Sequence, residues 1–330
     1  MREPKNILIF CLDNLGDLVF SSALVAPLRG RFPQARVSLW SKTYAAPVAA
    51  LIPGLDRTYA ADPFWDRSPL RGKGRLVPFL RTLWTVRRDR YDVVLITTAH
   101  WRAPLAMVAA GIPVRIGRER RHNRRWLTHR IPPDHQLLPS VVELGQLLEP
   151  LGITQLPTRY RLDPAPLAAR RERLAGRVGA GPLAAVHPFA SDPRRRAPLE
   201  LWVRVIEALR VLGLTVVSLG STSELDDLRA IAGERPPWLF ADEITDDSIG
   251  DLAALISLSS VYVGHDSGPL HIASALGIPV VGAYIDLPNV ARTVPQGPAA
   301  AFVVPIRENA ALPVDEIVNA TRRLWTQRPP

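Results

Sequence analysis

The sequence predicts an α/β protein built from two open, mostly parallel sheets, one in each half of the chain. Three observations carry that expectation. Short apolar runs, ILIFCL at 7–12, DVVLIT at 92–97, LAAV at 183–186 and VYVG at 261–264, alternate with stretches of helical spacing, as in parallel βαβ units. The 330 residues suffice for two domains of ordinary size. Near the middle, QLPTRYRLDPAP at 155–166 is rich in proline, has no long apolar period, and separates two rounds of the alternation. The expected division is a first domain over 1–158, a second over 159–312, and a closing helical segment over 313–330 that packs back on the first domain.

Composition narrows the class. With 47% hydrophobic and 22% charged residues the chain is globular. Its longest apolar runs, such as 275–285, are too short and too interrupted by Gly and Pro to cross a bilayer. The brief apolar start runs into Asp13, unlike a signal peptide, so a cytoplasmic location is expected, with peripheral contact at the inner membrane face allowed. The only cysteine, Cys11, lies in the first apolar run and is read as a packing residue. The net charge of +10 is concentrated: residues 67–130 hold 16 Lys or Arg against three acids, a balance of +13, which leaves the remainder at about −3. Such an excess marks an anionic partner or a solvated basic face.

The first half opens with a strand over 7–12, a turn over 13–16 and a helix over 18–29 whose apolar face holds Phe20, Leu24, Val25 and Leu28. Asp17 stands just where that helix begins. Its local role would be an N-cap, although Phe20 at the third helical position supplies no capping-box partner. A carboxylate at the carboxyl end of a parallel strand also stands where α/β sheets place their chemistry. Strands are expected at 37–40, 92–97 and 113–117, with an amphipathic basic segment over 76–90 and helices over 103–110 and 141–151. The stretch GRERRHNRRWLTHR at 117–130 interleaves Trp126 with arginines. That pattern suits single-stranded nucleic acid, but no RNA-binding signature accompanies it, and a phosphorylated acceptor is the better fit.

In the second half, a helix over 167–178 leads to the strand 183–186 and the loop HPFASDPRRRA, which precedes a helix with Pro198 in its first turn. Arginine forks bind phosphate bidentately, so one of Arg194–Arg196 suits a diphosphate; a solvated loop is the plain alternative. After a strand over 214–219, Gly220 turns the chain and Glu224 opens the next helix, placed to favour its N-terminus or to accept from a ribose. The stretch VYVGHDSGPLHIASALGIPVVGAY at 261–284 is a strand, loop, helix, strand unit. Gly264 and Gly268 permit a tight turn, and Pro269 suits a helix start. The helix N-terminus would face an anion such as a diphosphate, with Asp266 accepting from sugar hydroxyls; equally, Asp266 caps the helix and His271 packs in the core. A last helix is expected over 314–325.

Neither half contains G-x-G-x-x-G or G-x-x-x-x-G-K-[ST], and there is no Asp-x-Asp, no zinc-type Cys/His cluster and no G-x-S-x-G elbow.

Four segments together resemble glycosyltransferase family 9, the heptosyltransferases of lipopolysaccharide inner core. ILIFCLDNLGDLVFSSAL resembles the opening strand with its Gly-Asp turn at Gly16-Asp17. HPFASDPRRRAPLELW resembles the phosphate loop, with Arg195 where the family usually has Lys. Gly220 and Glu224 match a Gly and Glu four apart, and VGHDSGPLHIASALGIPVV resembles the Val-Gly-x-Asp-Ser/Thr-Gly signature followed by His. Three departures accompany these matches: Phe189 for a small residue, Arg195 for Lys, and YIDLPN at 284–289 for a Gly-Pro-Thr-Asp-Pro turn. The resemblance implies a GT-B fold, two Rossmann-like domains facing across a cleft. It implies an inverting transferase with a nucleotide sugar, ADP-heptose foremost, as co-substrate and no essential metal or other cofactor. Asp17 is implied as the general base, with Asp13 as the alternative base or an acceptor contact. Arg118 is the further acceptor contact. The implied donor site is His187, Ser191, Arg195, Gly220, Glu224, Asp266, Ser267, Gly268 and His271. The implied acceptor is an anionic glycan, glycolipid or small molecule, and nucleic acid is not expected.

Overall fold

The computed structural model describes residues 3–66, 74–98, 100–133, 137–233, 236–246, 248–285, 287–306 and 313–326. The chain forms two compact units, Met1–Tyr160 and Arg161–Pro330, and their boundary falls inside the proline-rich stretch. Among the described residues, no helix is long and apolar enough to cross a membrane.

The first unit is a six-stranded parallel sheet of β1 (Asn6–Phe10), β2 (Arg36–Ser41), β3 (Arg57–Ala60), β4 (Val93–Ile96), β5 (Val114–Arg118) and β6 (His129–Ile131). The spatial order is β3-β2-β1-β4-β5-β6, so the chain builds outward from β1 and then returns to its other side. The switch point of the sheet therefore lies between β1 and β4. The central strands are apolar throughout because helices cover both faces. Ile7 pairs with Val37 on one side and Val93 on the other. On one face Trp40 is fully buried, 5.1 Å from Phe10 and 5.2 Å from Phe79, ring centre to ring centre.

The first helix differs from the sequence expectation. It begins at Leu15, three residues earlier, and runs only to Ser21; a 3-10 turn over Ser22–Leu24 precedes a second helix, Val25–Arg31. The break has a local cause. Ser21 and Ser22 hydroxyls bond back to the Asp17 and Val19 carbonyls at 2.8 and 2.6 Å, and Pro27 offers no N–H to continue the ladder. The helix expected over 141–151 is likewise Ser140–Gly145 followed by a 3-10 segment, Gln146–Leu151, which holds Pro150.

The second unit repeats the topology with β7 (Leu183–His187), β8 (Thr215–Ser218), β9 (Leu239–Phe240), β10 (Val261–His265), β11 (Val280–Tyr284) and β12 (Ala301–Pro305), in the order β12-β11-β10-β7-β8-β9. Its switch point lies between β7 and β10. Gly264 is required there, because a Cβ would lie 2.6 Å from the His187 carbonyl oxygen of the neighbouring strand. Helices Ala168–Val178 and Ile249–Leu258 are clamped by Arg170 and Arg173, which share the fully buried Asp251 at 2.5 and 2.6 Å. The C-terminal helix, Val314–Thr326, packs on helix Leu199–Val211 and on β10 and β11. It is thus part of the second unit rather than a segment of its own.

Candidate active site

Both switch points carry the chemistry-bearing side chains. In the second unit, β7 ends in His187 and β10 is followed directly by Asp266, so two adjacent strands deliver them to one place. Asp266 is nearly buried, and three side chains meet its carboxylate: Arg195 Nη1 at 3.3 Å and Thr293 Oγ1 at 3.0 Å on Oδ2, and His271 Nε2 at 3.3 Å on Oδ1. Ser267 is the N-cap of helix Gly268–Ala275, whose first residue is Gly268, and its Oγ lies 3.3 Å from His187 Nδ1. Burial, the chief cause, lowers the His187 pKa to about 4, so the ring is neutral near pH 7.

The three consecutive arginines have separate tasks. Arg194 folds onto its own Asp192 at 2.7 Å and is largely exposed. Arg195 reaches Asp266. Arg196 binds the Ala190 carbonyl at 2.6 Å and Glu224 Oε1 at 3.1 Å. Glu224 is the third residue of helix Thr222–Ala232 and also accepts from the Ser221 N–H at 3.1 Å, forming a capping box. Gly220 lies against Phe189, whose ring a Cβ would meet at 2.9 Å. The larger residue at 189 is thus matched by the absence of a side chain at 220. Ser191 is exposed on the same loop.

In the first unit, Asp13 follows β1, Thr98 follows β4 and Lys42 follows β2, three neighbouring strands. Thr98 Oγ1 donates to Asp13 Oδ1 at 2.9 Å across the switch point. Burial first, and then the Asp17 charge, push the Asp13 carboxyl up to about 6; the Thr98 bond and the Lys42 charge act in the opposite direction. Lys42 is buried and ion-paired with Asp66. Asp17 is the capping-box acid of helix Leu15–Ser21, its Oδ2 accepting from the Asn14 N–H at 3.0 Å. The capping box that the sequence denied to Asp17 exists because Asn14, not Asp17, is the N-cap.

Arg118 is held by protein groups, with Nε 3.0 Å from Glu143 Oε1 and Nη2 donating to Glu143 O and Gln146 Oε1 at 2.7 and 2.8 Å. A cavity of about 490 Å³ is lined by Trp101, Arg121, His122, Arg124 and Arg125, and Arg118 is not among its lining residues. Burial raises the Cys11 thiol to about 12, as suits a packing residue. Among the described residues, no group of three His, Cys, Asp or Glu side chains is placed to hold a metal ion.

The first unit thus sets Asp13 and Asp17 at its switch point, and the second sets Arg195 against the buried Asp266. The model of glycosyltransferase family 9 (heptosyltransferase) matches residues 80–312. The chain belongs to glycosyltransferase family 9. Lipopolysaccharide heptosyltransferase 3 of Escherichia coli is 23% identical over 287 residues, 82% of this chain and 80% of that protein. Two solved structures share the fold. A family 9 glycosyltransferase from Veillonella parvula superposes with a TM-score of 0.81 at 19% identity, covering 98% of both chains. E. coli ADP-heptose lps heptosyltransferase II superposes with a TM-score of 0.79 at 19% identity, covering 98% of this chain and 99% of that one.

This family 9 glycosyltransferase therefore has the GT-B fold class, two Rossmann-like units each built on a six-stranded parallel sheet. The matched span contains the second-unit residues from His187 to Thr293 but begins after Asp13 and Asp17. Thr293, Lys42, Thr98 and His265 were given no role from sequence, and Arg196 was named only as one of the three consecutive arginines. Thr293 lies in helix Leu287–Thr293, just past YIDLPN, where the family pattern is lost and where Asp286 lies outside the described residues. Lys42 and Thr98 had a usable signal, since both follow strands adjacent to β1. His265 is fully buried: Nε2 accepts from Ala197 N and Trp202 Nε1, each at 3.0 Å, and Nδ1 faces the Ala283 carbonyl at 3.0 Å. It ties the arginine loop to the sheet, and burial holds its pKa at about 4.

Proposed function

We propose that this chain is an inverting, metal-independent heptosyltransferase that moves heptose from ADP-heptose to a hydroxyl of an anionic acceptor such as lipopolysaccharide inner core, at the cytoplasmic face of a membrane. The observation that carries the reading is Asp266, held among Arg195, Thr293 and His271 at a helix start on the β7/β10 switch point, in a family 9 chain whose relatives are heptosyltransferases of lipopolysaccharide. The acceptor oxygen attacks the anomeric carbon as the bond to the diphosphate breaks, and the nucleotide leaves with the electron pair. Asp17 takes the acceptor proton. Negative charge grows on the departing diphosphate, and Arg195 with the N–H groups at Gly268 would stabilise that charge more in the transition state than in the ground state. Asp266 orients the sugar and Glu224 the ribose. The cationic cavity around Arg121, Arg124 and Arg125 supports an anionic acceptor.

The test is a thermal-shift and turnover screen against ADP-, UDP-, GDP- and dTDP-sugars. A ligand at a hundred times its dissociation constant adds about 2.7 kcal/mol, so stabilisation by ADP-heptose above the others is expected. No stabilisation by any nucleotide would refute the reading. Asp17→Asn should keep the donor shift and lose roughly 10² to 10⁴ in kcat.

A further inference from the structure

Helix Leu76–Arg88, LVPFLRTLWTVRR, has two apolar faces. One is ordinary: Phe79 and Val86 are buried in the core, with Leu83 packed beside them. At about 100° per residue, Leu76, Val77, Leu80 and Trp84 fall on a different stripe, about 100° wide. All four face solvent, at 50, 66, 47 and 58% exposure. The helix carries no acid, and the exposed Arg81 and Arg88 border the stripe, with the Arg88 guanidinium 4.7 Å from the centre of the Trp84 ring. Arg87 donates to the Ala109 carbonyl at 2.8 Å, which pins the helix to its neighbour Arg102–Ala109. A rigidly held helix that shows solvent an apolar row with a tryptophan and a cationic border has the make-up of a surface-lying membrane helix.

We propose that this outward face docks on an anionic phospholipid surface, the four apolar side chains entering the headgroup region and Arg81 and Arg88 meeting lipid phosphates. Charge decides the occupant. Residues 67–130 carry a balance of +13, and an isologous contact with a second copy would bring the same arginines together. An anionic bilayer offers an apolar interior beneath a negative rim. The inference gives the proposed membrane contact an element of its own, and it is testable apart from the transfer chemistry.

The experiment is co-sedimentation of the full chain, without substrate, with vesicles of phosphatidylglycerol and phosphatidylcholine or of phosphatidylcholine alone. Binding to the anionic vesicles only, weakened by salt and accompanied by a blue shift of tryptophan emission, is expected. Leu80→Ser/Trp84→Ser and, separately, Arg81→Gln/Arg88→Gln should each weaken binding roughly tenfold or more while keeping the thermal shift with nucleotide. Equal binding by wild type and both double variants, or no binding to either vesicle, would overturn the proposal. So would a dimer that Leu80→Ser/Trp84→Ser converts to monomer, which would assign the face to a second copy. Vesicle binding needs no nucleotide, so its failure leaves the donor assignment standing, and failure of the nucleotide screen leaves this surface standing.

Discussion

Asp13→Asn should make the protein more stable near neutral pH, and only there. The Asp13 carboxyl titrates at about 6 in the folded chain, against 3.8 for a free aspartate, chiefly because it is buried and secondarily because Asp17 is near. A folded-state pKa above the unfolded one means that the folded chain holds the proton more tightly. Ionising Asp13 therefore costs stability as pH rises from about 4 to about 6. At about 1.36 kcal/mol per unit, the full shift is about 3 kcal/mol, felt above about pH 6 and absent below about pH 4. Asparagine keeps the shape and an Oδ1 that accepts from Thr98 but carries no charge. Urea denaturation of variant and wild type should show a gap approaching 3 kcal/mol at about pH 8, less whatever attraction to Lys42 is lost, closing at about pH 4. Equal stability at the higher pH, or a gap that persists on acidification, would refute the desolvated carboxylate.

Three other outcomes follow from the second unit. If Arg195 meets the departing diphosphate as proposed, Arg195→Ala should lower kcat by roughly 10² to 10³ with a smaller change in KM, read from steady-state kinetics. His265→Phe strands two buried donors, Ala197 N and Trp202 Nε1, at about 1–3 kcal/mol each, which urea denaturation would detect. It should also remove part of the acid sensitivity: the wild-type ring, held at about 4, contributes stability present above about pH 6.5 and lost as pH falls toward 4. Gly264→Ala sets a Cβ 2.6 Å from His187 O, so the stability read from urea denaturation should drop by about 1–3 kcal/mol, and any ADP-induced thermal shift should shrink if His187 contacts the donor as proposed.

The eight central strands were legible in the sequence, and the four it missed are the four edges, β3, β6, β9 and β12. The physical reason is burial. A strand between two neighbours and two helix layers must be apolar along its length, whereas RTYA at β3 buries one residue in four and β9 has only two residues. The helix starts failed differently. An Asn at 14 and an Asp at 17 form a capping box as readable as Ser221 with Glu224, but the apolar stripe of the next helix drew the boundary to Leu18. Breaks such as Ser22–Leu24 depend on serine hydroxyls turning back on the ladder, which spacing does not reveal. Arg195, Asp266 and His271, which the structure brings together, could be named from sequence because they sit on one motif and one loop. Thr293 could not, because its approach to Asp266 is set by the end of helix Leu287–Thr293, 27 residues away in sequence.

The two units share a topology and differ in the side chains they place at its switch point. The first sets carboxylates there: Asp13, whose charge burial makes costly, and Asp17, fixed by its helix start. Such groups suit the gain of a proton, and a pKa near 6 keeps Asp13 ionised but still basic at neutral pH. The second sets Arg195 against Asp266 and keeps His187 neutral through burial. Under the proposed function, an incoming diphosphate would compete with Asp266 for Arg195, and a sugar hydroxyl would donate to the carboxylate as the arginine turned away. The 3.3 Å separation of that pair, long for a charge-assisted bond, is consistent with an ion pair that a ligand completes rather than one closed on itself. Asp266→Asn should then tighten free phosphate or ADP at Arg195 while weakening discrimination among sugars. Calorimetric titration of ADP against ADP-heptose on the variant would decide this, and unchanged preference for ADP-heptose would remove Asp266 from sugar recognition.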